Sequence, residues 1–121
     1  MTRVLIVDDN ADYRGALARL VGREPGMEVV AQAGSLAAAR LKLGGVDVAL
    51  LDRGLPDGDG LELVGELREA NPGARVFVIS STAETVHPTD AMEAGADGII
   101  DKICDPEEMF AAIRGREARR A

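Results

Sequence analysis

Asp8 and Asp9 directly follow the apolar run Val4–Val7, and Asp52 directly follows the run Val46–Leu51. Ser80 follows Val76–Ile79, and Asp101 and Lys102 follow Gly98–Ile100. Three carboxylates brought together repel one another, so such a cluster needs a cation or at least one raised pKa. A hard divalent ion with oxygen ligands, most naturally Mg²⁺, relieves that repulsion and keeps positions open for phosphate oxygens. A lysine ammonium and a serine hydroxyl alongside suit two further phosphoryl oxygens, one by charge and one by hydrogen bond. A carboxylate beside bound Mg²⁺ can itself attack phosphorus and become an aspartyl phosphate. These residue types point to phosphoryl acceptance, provided the chain gathers them in one place.

The elements between them supply that condition. The five apolar runs Val4–Val7, Val29–Ala31, Val46–Leu51, Val76–Ile79 and Gly98–Ile100 are too short for globular helices, and most are rich in β-branched residues. They read as buried strands. Amphipathic segments lie between them. Tyr13, Leu17, Leu20 and Val21 share a helical face, as do Leu36, Ala39 and Leu43, then Leu63, Val64 and Leu67, and last Met109, Phe110 and Ile113. Ser35 is placed to cap the second helix, and Asp59 with Glu62 has capping-box spacing before the third. Asn71-Pro72-Gly73 ends the third helix, and Pro106 with Glu107 and Glu108 suits the first turn of the fifth. In the fourth, Pro88 falls at the first turn, and Ala91, Met92 and Ala94 make a thin apolar face. Five strand–helix alternations imply a parallel sheet with helices on both faces. In such sheets, sites form beyond the carboxyl ends of the strands, where the strand order reverses. All the polar residues singled out above stand there.

Composition narrows the class further. With 121 residues, 46% of them apolar, the chain has room for one core and not two. Fourteen basic against 21 acidic side chains give a formal charge of −7, which disfavours nucleic acid and anionic membranes as partners. No apolar run approaches the ~18 residues that cross a bilayer, and Met1-Thr2-Arg3 with its short apolar run is too short and acidic for a signal peptide. The lone cysteine, Cys104, fits a reducing compartment. Two phenylalanines, one tyrosine and no tryptophan rule out an aromatic platform for single strands. The expectation is a soluble, cytoplasmic, acidic domain.

The chain resembles the receiver domain of two-component response regulators over essentially its whole length. The resemblance is carried by Asp8-Asp9, by Asp52 with Leu55-Pro56 and Gly60, by Ser80, by Ala94-Gly95-Ala96-Asp97-Gly98 and by Lys102. Each piece is weak alone, but their order and spacing together are highly specific. The segments 28–34 and 102–108 look like those of receivers that precede a helix-turn-helix DNA-binding domain. Such a receiver implies a flavodoxin-like (βα)5 doubly wound parallel sheet with strand order 2-1-3-4-5. It makes Asp52 the phosphoacceptor, taking phosphate from a phosphohistidine on a sensor histidine kinase or phosphotransfer protein. Asp9 and Asp52 would ligate Mg²⁺ directly with the backbone carbonyl of Gly54, while Asp8 acts mainly through bound water. Lys102 would pair with the phosphoryl group, and Ser80 would hydrogen-bond it and read it into the fourth strand and helix. Output would pass through the face of the fourth helix, fifth strand and fifth helix to a downstream domain or protein, with phosphorylation-dependent homodimerisation across that face. No helix-turn-helix follows the fifth helix within residues 1–121, so a single receiver domain with no direct nucleic-acid binding and no membrane contact is expected.

The sequence departs from the family pattern at Arg53, usually apolar, at Ile99, often aromatic, at Ile103, often proline, and at Pro88. These positions bear on output coupling, whereas the metal and phosphoryl positions are intact. Plainer readings compete with the sharper ones. Asp8 and Asp9 could merely cap the first helix. Asp57-Gly58-Asp59-Gly60 reads as a turn and cap, because the acids needed for a calcium loop are missing or misplaced. His87 reads as a solvated loop residue, Cys104 as an ordinary semi-buried thiol, and the basic tail from Arg114 as a solvated helix end. Arg53 either merely faces solvent, or screens the acidic pocket or steers the donor. Gly54 and Thr82 align with variable positions that flank the phosphoryl group in the family, and a glycine there implies a short-lived phosphoaspartate. Two rivals stand beside the phosphoacceptor. One is a pseudo-receiver that acts by partner binding alone. The other is a Mg²⁺-dependent phosphatase, which would need an acid where Gly54 stands.

Overall fold

The computed structural model describes residues 1–80 and 92–120, with side chains as far as Arg114. The strands of the main sheet are β1 (Thr2–Val7), β2 (Met27–Ala33), β3 (Val48–Asp52), β6 (Arg75–Ser80) and β7 (Gly98–Asp101). A two-stranded antiparallel ribbon, β4 (Gly54–Leu55) with β5 (Gly58–Asp59), stands where the sequence reads only as a turn. The helices are α1 (Ala11–Arg23), α2 (Leu36–Arg40), α3 (Glu62–Ala70) and a C-terminal helix over Pro106–Arg120. The sheet order is β2-β1-β3-β6-β7, and every pairing in it is parallel. With the ribbon left out of the count, this is the expected 2-1-3-4-5 order of the flavodoxin-like fold. The readings made at Thr82, His87, Pro88 and Ala91 lie outside the described residues.

Alternation along the strands builds two cores. Val4, Ile6, Val48, Leu50, Phe77 and Ile79 turn to one face and pack with α1 and the C-terminal helix through Leu17, Val21, Met109, Phe110 and Ile113. Leu5, Val7, Ala49, Leu51 and Val76 turn to the other and pack with α2 and α3 through Leu36, Ala39, Leu63, Val64 and Leu67. Period-two strands clothed on both faces give this arrangement, and it explains why the runs look uniformly apolar. Leu20 departs from its expected burial and is 38% exposed, because Val21 takes the core-facing position of that turn. Met92 is likewise exposed, whereas Ala94 packs against the α2–α3 core.

Register fixes the positions that matter for chemistry. Val7 pairs with Leu51, so Asp8 and Asp52 leave adjacent strands at the same level. Asp52 pairs in turn with Ile79, and Ser80 with Asp101. The chain after β7 is held to the same edge by the Lys102 N–H, which donates to the Ser80 carbonyl at 2.7 Å. No helix among the described residues is long and apolar enough to cross a membrane.

Candidate functional site

The structure gathers the carboxylates of Asp8, Asp9 and Asp52 so that one oxygen from each lies within 4.8 Å of the others. Asp8 and Asp52 are buried, at 0% and 2% exposure, and Asp9 opens to solvent. Neither Asp8 nor Asp9 caps α1. That role falls to Asn10, whose side chain accepts the Tyr13 N–H at 3.0 Å. Asp8 Oδ1 accepts the Asn10 N–H at 2.9 Å, and Arg14 Nη1 donates to the Asp8 carbonyl at 2.7 Å. Asp8 Oδ2 is buried without a hydrogen-bond partner, although the Lys102 ammonium stands 2.9 Å away as an ion pair. A buried anionic oxygen left in that state, among three hard oxygen donors, fits a small divalent cation.

Lys102 is the cation that this pocket carries itself. Its Nζ lies 2.9 Å from Asp8 Oδ2 and 3.5 Å from Asp52 Oδ2, with the side chain 16% exposed. The remaining oxygen of Asp52 accepts the Gly54 N–H at 3.3 Å. One ammonium against three carboxylates leaves the pocket negative, and the low-dielectric surroundings of Asp8 and Asp52 magnify the repulsion. Ser80 ends β6 at the same edge, half-buried. Asp8, Asp9, Asp52, Gly54, Ser80 and Lys102 therefore all stand at this rim.

The loop after β3 is shaped to keep the rim open. A Cβ at Gly60 would overlap the Asp52 carbonyl oxygen, so only glycine lets the returning chain pass this close. The Gly60 N–H closes the turn on the Arg53 carbonyl at 2.8 Å. By contrast, a Cβ at Gly54 would meet nothing within 4 Å, leaving the approach to Asp52 clear. Arg53 pairs with Asp59 at 2.9 Å across the ribbon. This ion pair accounts for a charged residue where an apolar one was expected. Asp59 accepts the Leu61 N–H while Glu62 accepts the Asp59 N–H, so the capping box is only half formed and Leu61 stands at the cap.

Two contributors escape the sequence reading. Tyr13 places its ring 4.9 Å from Lys102 Nζ, and burial raises its hydroxyl pKa although the Lys102 charge opposes this. Helical spacing marks Tyr13 only as a core residue, and the strand end that carries Lys102 is distant in sequence. Asp57 accepts the Leu36 and Ala37 N–H groups at 2.8 and 3.0 Å, tying the loop after β3 to the start of α2. Those bonds hold its carboxyl below the usual aspartate range. The Cys104 thiol is pushed up by burial and by the charges of Glu108, Asp101 and Asp105, as befits an unreactive thiol.

Comparison with known proteins agrees with this geometry. The family model described as the response regulator receiver domain matches residues 4–114. The DNA-binding transcriptional activator DevR/DosR of Mycobacterium tuberculosis is 37% identical over 123 residues, covering 100% of this chain and 57% of that protein. A two-component response regulator of the LuxR family from Aurantimonas sp. SI85-9A1 superposes with a TM-score of 0.80 at 31% identity, covering 96% of this chain and 84% of that one. A response regulator from Burkholderia pseudomallei, solved with a phosphorylated aspartic acid, a calcium ion and citrate, gives a TM-score of 0.80 at 28% identity, covering 100% of this chain and 74% of that one. The chain spans about half the length of the curated relatives it matches. From the matched fold, the acidic cluster at its carboxyl rim and these relatives, the chain belongs to the response regulator receiver domain family.

Proposed function

We propose that residues 1–121 form one receiver domain that accepts a phosphoryl group on Asp52 from the phosphohistidine of a sensor histidine kinase or phosphotransfer protein. The observation that carries this reading is the gathering of Asp8, Asp9 and Asp52 around one point beside Lys102. An Asp52 carboxylate oxygen attacks phosphorus as the P–N bond to the donor imidazole breaks, and the electron pair returns to the imidazole nitrogen. Asp9, Asp52 and the Gly54 carbonyl are the groups that would hold Mg²⁺, and Asp8 would add its charge beside them. When bound, Mg²⁺ supplies the positive charge that neutralises the carboxylates and the incoming phosphoryl oxygens. The Lys102 ammonium takes a second phosphoryl oxygen by charge, and the Ser80 hydroxyl takes a third by hydrogen bond. Gly54 leaves the face of the new acyl phosphate open to water, so the adduct is short-lived. Its lack of a carboxylate also removes the proton donor that a turnover phosphatase would need.

Output passes through the face of β7, the C-terminal helix and the segment around residues 88–94 that the sequence reads as a further helix, to a downstream domain or protein, with homodimerisation on phosphorylation. Exposed Ile99 and Ile103 on and beside β7 support an apolar contact there. The similarity to DevR/DosR, a DNA-binding transcriptional activator, supports a place for this domain in a longer regulator of that kind. The phosphorylated aspartate and calcium of the Burkholderia pseudomallei regulator support the chemistry assigned to Asp52.

Beryllofluoride and acetyl phosphate with Mg²⁺ test the reading. An adduct is expected in the native chain and none in Asp52→Asn. Absence of an adduct in the native chain would leave the pseudo-receiver, acting by partner binding alone. Light scattering with and without beryllofluoride checks the dimer, and an unchanged mass would remove that part of the reading.

A further inference from the structure

Tyr13 stands on α1, just past the aspartates that begin the acidic pocket, yet it neither accepts the phosphoryl group nor belongs to the acidic cluster. Its ring is half-buried against the β-sheet core that α1 shares with the C-terminal helix. One face of that ring is turned to Lys102, whose Nζ lies 4.9 Å from the ring centroid. On another side the same ammonium meets Asp8 at 2.9 Å and Asp52 at 3.5 Å. A lysine side chain is a compact charge on a flexible four-carbon stem, so carboxylates alone do not fix where it rests. An aromatic face attracts an ammonium electrostatically, more strongly as water is removed, and adds no charge of its own. Lys102 is mostly withdrawn from water, which is the condition under which such a contact counts.

We propose that Tyr13 is a positioning residue for phosphoryl transfer: its ring face holds the Lys102 ammonium over Asp8 and Asp52, ready for the phosphoryl oxygen. The inference rests on the phosphoacceptor reading of Asp52. Packing alone would ask only for an apolar side chain at this position, since Leu17 and Met109 line the same crevice with Tyr13 and Lys102. A ring face, however, does what a leucine of similar bulk cannot. The hydroxyl is not required for the contact, so phenylalanine serves equally well.

The test uses small reagents, so that recognition of a protein donor does not enter the readout. In the native chain and in Tyr13→Phe, the Lys102 ε-methylene protons resonate upfield of an ordinary lysine, as a ring current requires. In Tyr13→Leu that shift is lost. Beryllofluoride affinity with Mg²⁺, and the rate with acetyl phosphate, fall roughly three- to tenfold in Tyr13→Leu and are restored in Tyr13→Phe, as expected for one partly buried cation–π contact. Tyr13→Met fills the same crevice with a flexible side chain should the leucine variant fold poorly. An unshifted Lys102 resonance in the native chain overturns the inference. So does beryllofluoride affinity in Tyr13→Leu or Tyr13→Met equal to that of the native chain, or an equal loss in Tyr13→Phe. If the native chain takes no beryllofluoride at all, the phosphoacceptor reading falls and takes this one with it. A native adduct with an unaffected leucine variant overturns only the role of Tyr13.

Discussion

The two ends of the sheet treat charge in opposite ways. At the amino ends of the strands, described acids are matched to donors. Asp47 accepts the Arg3 N–H at 2.8 Å, and Asp97 accepts the Val76 N–H at 2.8 Å and the Arg68 guanidinium at 2.7 Å. Buried Arg75 donates there to the Ile113 carbonyl at 3.0 Å, fastening the C-terminal helix to β6. At the carboxyl ends, three carboxylates crowd around one lysine, whose ammonium is shared between Asp8 at 2.9 Å and Asp52 at 3.5 Å. Residue types barely differ between the two rims, since both carry aspartates beside basic groups. What differs is the ratio of acid to donor. Matched charges close a structure, whereas an excess of one sign in a buried pocket is a binding site for the other.

The largest expected effect tests whether the acidic rim depends on its backbone. Gly60→Ala drives a methyl group into the Asp52 carbonyl oxygen and should cost about 3 kcal/mol or more, read as a lowered urea midpoint. An unchanged midpoint would mean that the loop after β3 yields freely. Next is the matched rim. Asp97→Ala strands the Val76 N–H and leaves the Arg68 guanidinium, among the described residues, only the Gly95 carbonyl, and should cost about 2–3 kcal/mol. Once folded, that variant should still take beryllofluoride. At the acidic rim the sign reverses. Asp52→Asn keeps the shape and an acceptor for the Gly54 N–H but removes one of three crowded charges. Without Mg²⁺ it should be as stable as the native chain or up to about 1 kcal/mol more so, and Mg²⁺ should raise its thermal midpoint less. A clear loss of stability in Asp52→Asn would erase the distinction between the rims.

The same distinction explains what was legible in the sequence. Asp8, Asp9, Asp52, Ser80 and Lys102 could be read because each follows a strand, and strand ends in parallel sheets share one edge whatever lies between. That the strands are clothed on both faces followed from apolar periodicity, whereas their order was implied by the resemblance to receiver domains. The ribbon at β4 and β5 could not, because glycines and aspartates mark a turn without saying whether its arms pair. Leu20 and Val21 both suit a buried face, and only packing decides that Val21 takes it. Tyr13 was hidden for a related reason. A helical stripe of apolar residues states that a ring is partly buried, but its contact with Lys102 depends on where the chain past β7 arrives.

Smaller effects probe the loop that joins the two behaviours. Gly54→Met adds a side chain where a Cβ meets nothing, so stability should hold while the aspartyl phosphate lasts several-fold longer, measured by release of inorganic phosphate. Unchanged or faster decay would contradict the open approach inferred for Gly54. Asp57 gives the smallest effect and the finest cut. It sits in the loop of the acidic rim, yet it is partnered like the acids of the opposite rim, because the first amides of α2 donate to its carboxylate. Its folded pKa is lowered, so its contribution is fully present above the unfolded aspartate value and is lost as pH falls through the folded one. Acid titration of the urea midpoint should therefore be shallower in Asp57→Asn than in the native chain, and the difference should not depend on Mg²⁺. A Mg²⁺-dependent difference would mean that Asp57 belongs to the pocket's charge rather than to the cap of α2.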